Sequence, residues 1–321
     1  MTARVAISLG DPCGIGPEVV ALALADGRVR AAISPLLFGD RGALAEAARL
    51  RGVPLPAELR EVTHLPPSER VPGRPSGDGA GAGAAALAYV DAAIDAARSG
   101  LADAICTAPL SKHRVGLRVP GFAGHTEHLA DRFGAQVAMM LSGPRLRVVL
   151  ATNHVALAEV PRRLAPEKIA FVIRLAHREL RDRFGIPDPR IAVCGLNPHA
   201  GDGGLFGDEE ARLVAPAVAK ARAEGIRVDG PLAADGLFPR AAKGAFDAVV
   251  ALYHDQGLIP AKLLDFRETV NVTLGLPRPR TSPDHGTADD IAGQGVADPE
   301  PMVQALLLAA RLTRPGELAP G

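Results

Sequence analysis

Tryptophan is absent from this chain of 321 residues, and tyrosine and phenylalanine supply only 2 and 9. Hydrophobic residues still make up 47% of it, so a sizeable core is expected, built from Ala, Leu and Val rather than from aromatic rings. Cysteine is almost as scarce. Cys13, Cys106 and Cys194 stand far apart with no C-x-x-C spacing, which argues against a disulfide framework and against a cysteine zinc site. Reduced thiols at that frequency fit a cytoplasmic protein. There is no excess of either charge, 36 basic against 36 acidic residues, and hence no case for a dedicated nucleic-acid or anionic-membrane binder. Long apolar runs are missing as well: no segment reaches the roughly 18 residues of a transmembrane helix. The first residues enter a strand pattern without the basic region and apolar core of a signal peptide.

What the chain does have is alternation. Apolar runs at residues 4–9, 33–38, 103–107, 190–195 and 248–253 read as buried strands. Between them lie helical patterns at 17–25, 41–51, 79–98 and 166–184, with a last helix at 299–312. Residues 136–141 and 145–151 look like a strand pair turning at Gly143-Pro144, and 53–77, rich in proline, reads as loop with short pieces. A helix over 209–224 should kink at Pro216. Strands alternating with helices imply an α/β protein with a largely parallel sheet and helices on both faces. The length suits one large unit or two lobes around a cleft.

The densest chemistry lies in residues 246–292, FDAVVALYHDQGLIPAKLLDFRETVNVTLGLPRPRTSPDHGTADDIA. The apolar run ends in His254-Asp255-Gln256-Gly257, and Lys262, Asn271, Arg280, Asp284 and His285 follow within 31 residues of His254. Open α/β sheets place ligands at the carboxyl ends of strands. Two cations, an amide and a His-Gly-Thr loop suit a small anionic substrate beside a cofactor. His154 follows RVVLATN and His199 follows IAVCGLNP, so three histidines stand just past three buried strands. Three imidazoles with open positions make a catalytic metal site, best suited to zinc, cobalt, nickel or iron(II). The plain alternative is three separate loop histidines bonded to backbone, and spacings of 45 and 55 residues form no short metal motif. His125, at a helix start, suits an anion at the helix N-terminus.

Two glycine-rich stretches differ in what they offer. GDPCGIGPE (10–18) lacks the G-x-G-x-x-G spacing and a P-loop lysine, and reads first as a turn whose glycines let strand one feed helix one. NPHAGDGGLFG (197–207) carries four glycines within seven residues at the root of which stands His199, and favours close approach of a ligand.

Seven segments together resemble one family: GDPCGIGPE (10–18), TAPLSK (107–112), GHTEHLA (124–130), ATNH (151–154), GLNPHAGDGG (195–204), YHDQGLIPAK (253–262) and VNVTLGLPRPRTSPDHGTADDIAG (270–293). The chain is similar to the 4-hydroxythreonine-4-phosphate dehydrogenases of pyridoxal phosphate synthesis, over nearly its whole length and in family order. The resemblance implies a divalent metal, zinc, cobalt or magnesium, held by His154, His199 and His254. It implies a homodimer with ligands from both subunits, and substrate contacts from His125, Thr126, Lys262, Asn271 and Arg280. The stretch DHGTADDIAGQGVADP (284–299) resembles the cofactor loop of isopropylmalate and isocitrate dehydrogenases, which bind NAD or NADP without the usual fingerprint. By that analogy His285, Gly286 and Thr287 lie near the adenosine half of the cofactor, and the fold is a two-lobed α/β/α sandwich with a cleft between lobes. The expected division is 1–135 plus 270–321 for the lobe with both termini and the cofactor loop, and 136–269 for the central lobe with the metal histidines and dimer contacts. Cys13 and Asn153 depart from the family pattern without removing a ligand.

The activity so implied is oxidation of 4-phosphohydroxy-L-threonine to 2-amino-3-oxo-4-phosphohydroxybutanoate, which loses CO2 to give 3-amino-2-oxopropyl phosphate. Asp235 is the first candidate for general base, and Asp255 the second, with Lys262 the third residue expected in the catalytic set. Three rivals remain open. One is a sibling dehydrogenase acting on 4-phosphothreonate, 4-phosphoerythronate or an aromatic cis-dihydrodiol. Another is a zinc hydrolase or lyase, which three histidines alone allow. The last is a metal-binding module without catalysis.

Overall fold

Val5, Ala6 and Ile7 are wholly shielded from solvent and set the first strand of a parallel sheet. The structure, a computed structural model, describes residues 2–74 and 77–314. β1 (Ala3–Ser8) leads to α1 (Gly16–Ala25), with Pro17 and Glu18 in the first turn, where a missing N–H costs nothing and a carboxylate meets the positive helix end. Two short pieces follow, α2 (Gly27–Ala32) and β2 (Ile33–Gly39). α3 (Arg41–Arg51) is capped by Asp40, which accepts from the Ala43 N–H at 2.9 Å. The proline-rich stretch yields a three-residue strand, β3 (Leu59–Glu61), and a 3-10 turn, Pro67–Glu69. The alanine-rich α4 (Ala80–Arg98) packs on β1, β2 and β4 (Ala104–Thr107). Its Gly83 has no room for a side chain, since a Cβ there would lie 2.3 Å from the Arg114 carbonyl carbon. α5 (Lys112–Gly116) and α6 (His125–Phe133) follow.

The next strands are β5 (Ala138–Ser142) and β6 (Arg147–Leu150), antiparallel to each other, then α7 (Val160–Arg163) and α8 (Pro166–Asp182). β7 (Ile191–Cys194) precedes α9 (Ala215–Ala223). The expected kink at Pro216 takes another form. Glu210–Val214 winds as a π-helix, the Ala215 N–H reaches the Glu210 carbonyl, and Pro216 falls in the first turn of α9. A first-turn residue needs no intrahelical N–H, so proline is tolerated there. β8 (Val228–Leu232), α10 (Ala234–Ala241), β9 (Ala248–Ala251), α11 (His254–Asp265), β10 (Val270–Leu274), β11 (Arg280–Pro283) and α12 (Glu300–Leu312) complete the described chain.

The chain divides into two units, one running to Gln136 and resuming over Leu276–Arg314, the other Val137–Gly275. In the first, the strand order is β3-β2-β1-β4-β11, all parallel. In the second it is β10-β5-β6-β9-β7-β8, parallel from β6 onward and antiparallel on the β10-β5-β6 side. The core of the second unit gathers Leu141, Val148, Leu150, Val249, Leu237 and Leu258, aliphatic as the composition requires. All three cysteines are free and buried, and burial pushes each thiol up to about 12, which leaves them protonated and unreactive. Among the described residues no helix is long and apolar enough to cross a membrane.

Candidate functional site

In the first unit the GDPCGIGPE turn is a cradle for the 285–293 stretch. Gly10 takes φ +78°, and a Cβ there would lie 2.4 Å from the Pro109 carbonyl oxygen. Ile15 donates its N–H to the Thr287 carbonyl at 2.9 Å, and a Cβ on Gly14 would stand 2.9 Å from the Thr287 Cβ. Glu18 accepts the Gly293 N–H at 2.7 Å. Arg114, buried, binds Asp11 at 2.8 Å and also Asp289. These glycines therefore do more than feed strand one into helix one: they admit a second backbone segment. His285 hydrogen-bonds the Gly286 carbonyl through Nδ1 at 3.1 Å, Gly286 is exposed, and Thr287 is fixed through its backbone. Beside them opens a cavity of about 820 Å³, lined by Gly14, Pro17, Glu18, Arg49, Asp289 and Gly293 among others. Its size is that of a cofactor pocket.

The same unit holds a cationic cluster. Arg280, the first residue of β11, is only 2% exposed, and its Nη2 donates to Thr107 Oγ1 at 2.5 Å. Burial lowers its guanidinium to about 10, still charged at neutral pH. His125 opens α6 with Thr126 behind it, where the first turn leaves backbone N–H groups without intrahelical partners. The His125 Nε2 is buried without a hydrogen-bond partner. Burial first, then the charges of Arg280, His128 and Lys112, hold the imidazole well below its usual range. A neutral imidazole presents one donor or one acceptor there.

That depression has a consequence for folding. Below pH about 6.5 the unfolded imidazole takes a proton that the folded one refuses. Stability is therefore whole above that pH and declines as the pH falls toward the folded value, with a slope approaching ~1.4 kcal/mol per pH unit. His125→Asn is expected to remove that part of the slope. Urea unfolding of both proteins at pH 5 and 7.5 measures it, and equal acid sensitivity in the two would rule the assignment out.

In the second unit the structure brings two of the three histidines together. The rings of His154 and His254 lie 5.4 Å apart between centroids. His254 opens α11, and its Nδ1 meets Asp255 Oδ1 at 2.7 Å, which orients the ring and leaves Nε2 for a ligand. His199 is exposed and lies 6.2 Å from the Phe206 ring. Among the described residues no group of three or more His, Cys, Asp or Glu side chains is gathered to hold a metal ion. Within one chain, then, His154 and His254 stand together with Asp255 bonded to the second ring, and His199 stands apart. Asp235 stands exposed in the first turn of α10, its Oδ1 accepting the Gly236 N–H at 2.9 Å. Lys262 is half-buried on α11 with Nζ 5.9 Å from the Phe266 ring centroid. Asn271 Oδ1, on β10, is buried and without a partner.

Sequence reasoning passed over Lys112, whose Cε lies 2.8 Å from where a Gly124 Cβ would stand and whose charge reaches His125. Its signal was available: TAPLSK follows a buried strand, as the histidine motifs do. Arg114 and Glu18 carried no such signal, because their partners lie 103 and 275 residues away.

The family model described as Pyridoxal phosphate biosynthetic protein PdxA matches residues 31–309. A 4-hydroxythreonine-4-phosphate dehydrogenase of Geobacter metallireducens is 49% identical over 97% of this chain and 96% of its own. A D-threonate 4-phosphate dehydrogenase of Cupriavidus necator is 46% identical over 96% of each. The crystal structure of a 4-hydroxythreonine-4-phosphate dehydrogenase from Klebsiella pneumoniae superposes with a TM-score of 0.85 at 40% identity, covering 98% of this chain and 100% of that one. The α/β architecture expected from the strand and helix alternation is thus that of solved relatives. Family-model match, identity and fold converge, and the chain belongs to the Pyridoxal phosphate biosynthetic protein PdxA family.

Proposed function

We propose that the protein is an NAD(P)-linked dehydrogenase that oxidises the secondary alcohol of 4-phosphohydroxy-L-threonine. The observation that carries the reading is the buried guanidinium of Arg280 whose charge reaches the half-buried imidazole of His125, its Nε2 enclosed without a partner at a helix start, a place suited to an anion. Arg280 offers a planar fork to phosphate or carboxylate, and the α6 N-terminus offers backbone N–H groups with Thr126 beside them. Lys262 and Asn271 are assigned further polar contacts to substrate. The 285–293 stretch on its glycine cradle, with the cavity of about 820 Å³ beside it, supports a dinucleotide there. His285, Gly286 and Thr287 are its expected adenosine contacts.

Oxidation removes a hydride from the carbon bearing the hydroxyl, which a bound NAD(P) would accept, and a proton from the hydroxyl oxygen. Asp235 is assigned that proton, since its carboxylate is exposed and bonded to the N–H of the next residue in its own turn. Asp255 is better read as the group that orients His254. A divalent ion held by His154, His199 and His254 supplies, when bound, a Lewis acid that makes the hydroxyl easier to deprotonate. Because one chain gathers only two of these rings, the reading includes a homodimer that completes the set. Ile259 and Leu263 on α11 with Phe266 just beyond it are 62%, 84% and 62% exposed, an apolar stripe that supports pairing of two copies. Leu263→Glu is expected to shift the protein to monomer in light scattering and to lose activity with it; a dimeric variant would count against this face.

The relative that acts on D-threonate 4-phosphate, nearly as similar as the first, favours a second reading in which the amine is replaced by a hydroxyl. The deciding experiment offers both phosphorylated substrates and a phosphate-free cis-diol, each with NAD and NADP and with zinc, cobalt or magnesium, and follows nicotinamide reduction. The highest kcat/KM belongs to 4-phosphohydroxy-L-threonine if the first reading holds.

A further inference from the structure

Between β7 and the π-helix the backbone does something that costs free energy. His199, Ala200, Gly201, Asp202 and Gly203 take φ of 54°, 54°, 83°, 44° and 67° in succession, and only two of the five are glycine. Non-glycine residues enter the left-handed region singly and at a cost, so a run of this kind needs something outside it to impose it. Against the root of the run stands Glu210. Glu210 is 6% exposed, at the first position of the π-helix Glu210–Val214. Oε1 accepts the N–H groups of Leu196 and Asn197, each at 2.7 Å, and Oε2 accepts from the Asn197 side-chain amide at 3.0 Å. The turn closes down on it: a Cβ on Gly201 would lie 2.7 Å from Glu210 Oε2, and one on Gly195 would lie 2.7 Å from the Ala200 Cα. Asn197 is held a second time by Glu209 Oε2 at 2.8 Å.

We propose that Glu210 is the positioning residue for His199: its buried carboxylate gathers the N–H groups of the turn's root and so fixes the left-handed segment that presents the imidazole. The physical logic is the anion-binding nest turned inward, with consecutive backbone N–H groups converging on a carboxylate of the same chain. Charge-assisted bonds are the strong ones, and two of the three go to backbone, so no change of side chain in the turn replaces them. The π-helix contributes by displacing Glu210 from the regular helical position, a device that recurs at functional sites.

The value of that placement rests on the reading of His199 as a metal ligand, and the test separates the two. Glu210→Ala, Glu210→Gln and His199→Ala are compared with the parent protein, each as the full chain stripped of metal by chelator. Cobalt(II) is titrated by its visible absorption, and the histidine ring C–H resonances are recorded by NMR, with that of His199 identified by its loss in His199→Ala. Glu210→Ala is expected to weaken cobalt binding about 10- to 100-fold and to shift the His199 resonance while those of His154 and His254 stay. Glu210→Gln keeps an acceptor for the two backbone N–H groups and is expected to recover most of both, which a merely structural role for the charge would not predict. If His199→Ala binds cobalt as the parent does, the ligand reading fails, and the NMR shift alone then judges Glu210. An unmoved His199 resonance in Glu210→Ala overturns the proposal, as does one in Glu210→Asp, which draws the carboxylate back by a methylene, where the alanine variant does not fold.

Discussion

Replacing His254 with alanine is expected to lower kcat/KM by ~10³-fold or more, equivalent to about 4 kcal/mol of lost transition-state stabilisation. The ring is not a core residue whose loss unfolds the protein: its side chain is 34% exposed and its bonded neighbour Asp255 is 71% exposed. Two features of its place suit a ligand's role. It stands 5.4 Å from the His154 ring, and its Nδ1 is occupied by Asp255, so Nε2 is the atom on offer. Thermal stability should accordingly move little while activity collapses, and added zinc or cobalt should stabilise the parent protein but not the variant. Asp255→Asn supplies the graded control. If the carboxylate orients the imidazole, the loss is about 10- to 100-fold in metal affinity with the shape of the pH–rate profile kept. If it is the base, the acid limb of that profile disappears and the loss falls on kcat. Retention of most activity by His254→Ala in metal-free buffer would remove the ion from the mechanism.

The strand ends were legible because a buried parallel strand is a continuous apolar run and its exit is abrupt. His154, His199 and His254 follow β6, β7 and β9 by a few residues each. The helix that His254 opens was not legible. HDQGLIPAKLLD carries Gly257 and Pro260, which lower helix propensity and break the apolar period. Tertiary packing overrides both. A Cβ on Gly257 would lie 2.5 Å from Val148 Cγ1, so the glycine is what lets α11 approach β6. Lys262 and Asn271 were picked out as polar residues following His254, with no element assigned to them, and the structure puts them on a helix and a strand, α11 and β10. The run of left-handed residues after His199 was legible only in part. Gly201 and Gly203 announce positive φ, but nothing local announces it for His199, Ala200 and Asp202, and the carboxylate bound at the root of the turn stands 11 residues beyond the histidine. Interactions closed over long loops, such as Arg114 with Asp11 and Asp289, leave no periodicity to read.

Arg280→Met is expected to cost about 10³-fold in kcat/KM for the phosphorylated substrate, most of it in KM. Arg280 is among the largest fully enclosed side chains of the fold, and methionine fills much of the same volume with a flexible apolar stem. The substitution gives up the hydrogen bond to Thr107 Oγ1, worth roughly 1 kcal/mol, and removes the desolvation that holds the guanidinium down at about 10. These oppose each other, so a Tm shift of only a few degrees is expected. What cannot be replaced is a full positive charge in a water-poor setting, where its attraction for an anion is far larger than at the surface. Arg280→Lys tests the geometry apart from the charge. An ammonium retains the charge and loses the fork, and it should recover part of the affinity but not the parent value. The neighbouring imidazole gives an independent reading. With the cation gone, one cause of the low His125 value is removed while burial remains, so in Arg280→Met the imidazole should titrate at a higher pH than in the parent, though still below its ordinary range. A His125 resonance that titrates identically in both proteins, together with an unchanged KM, would show that the two side chains do not share an anion.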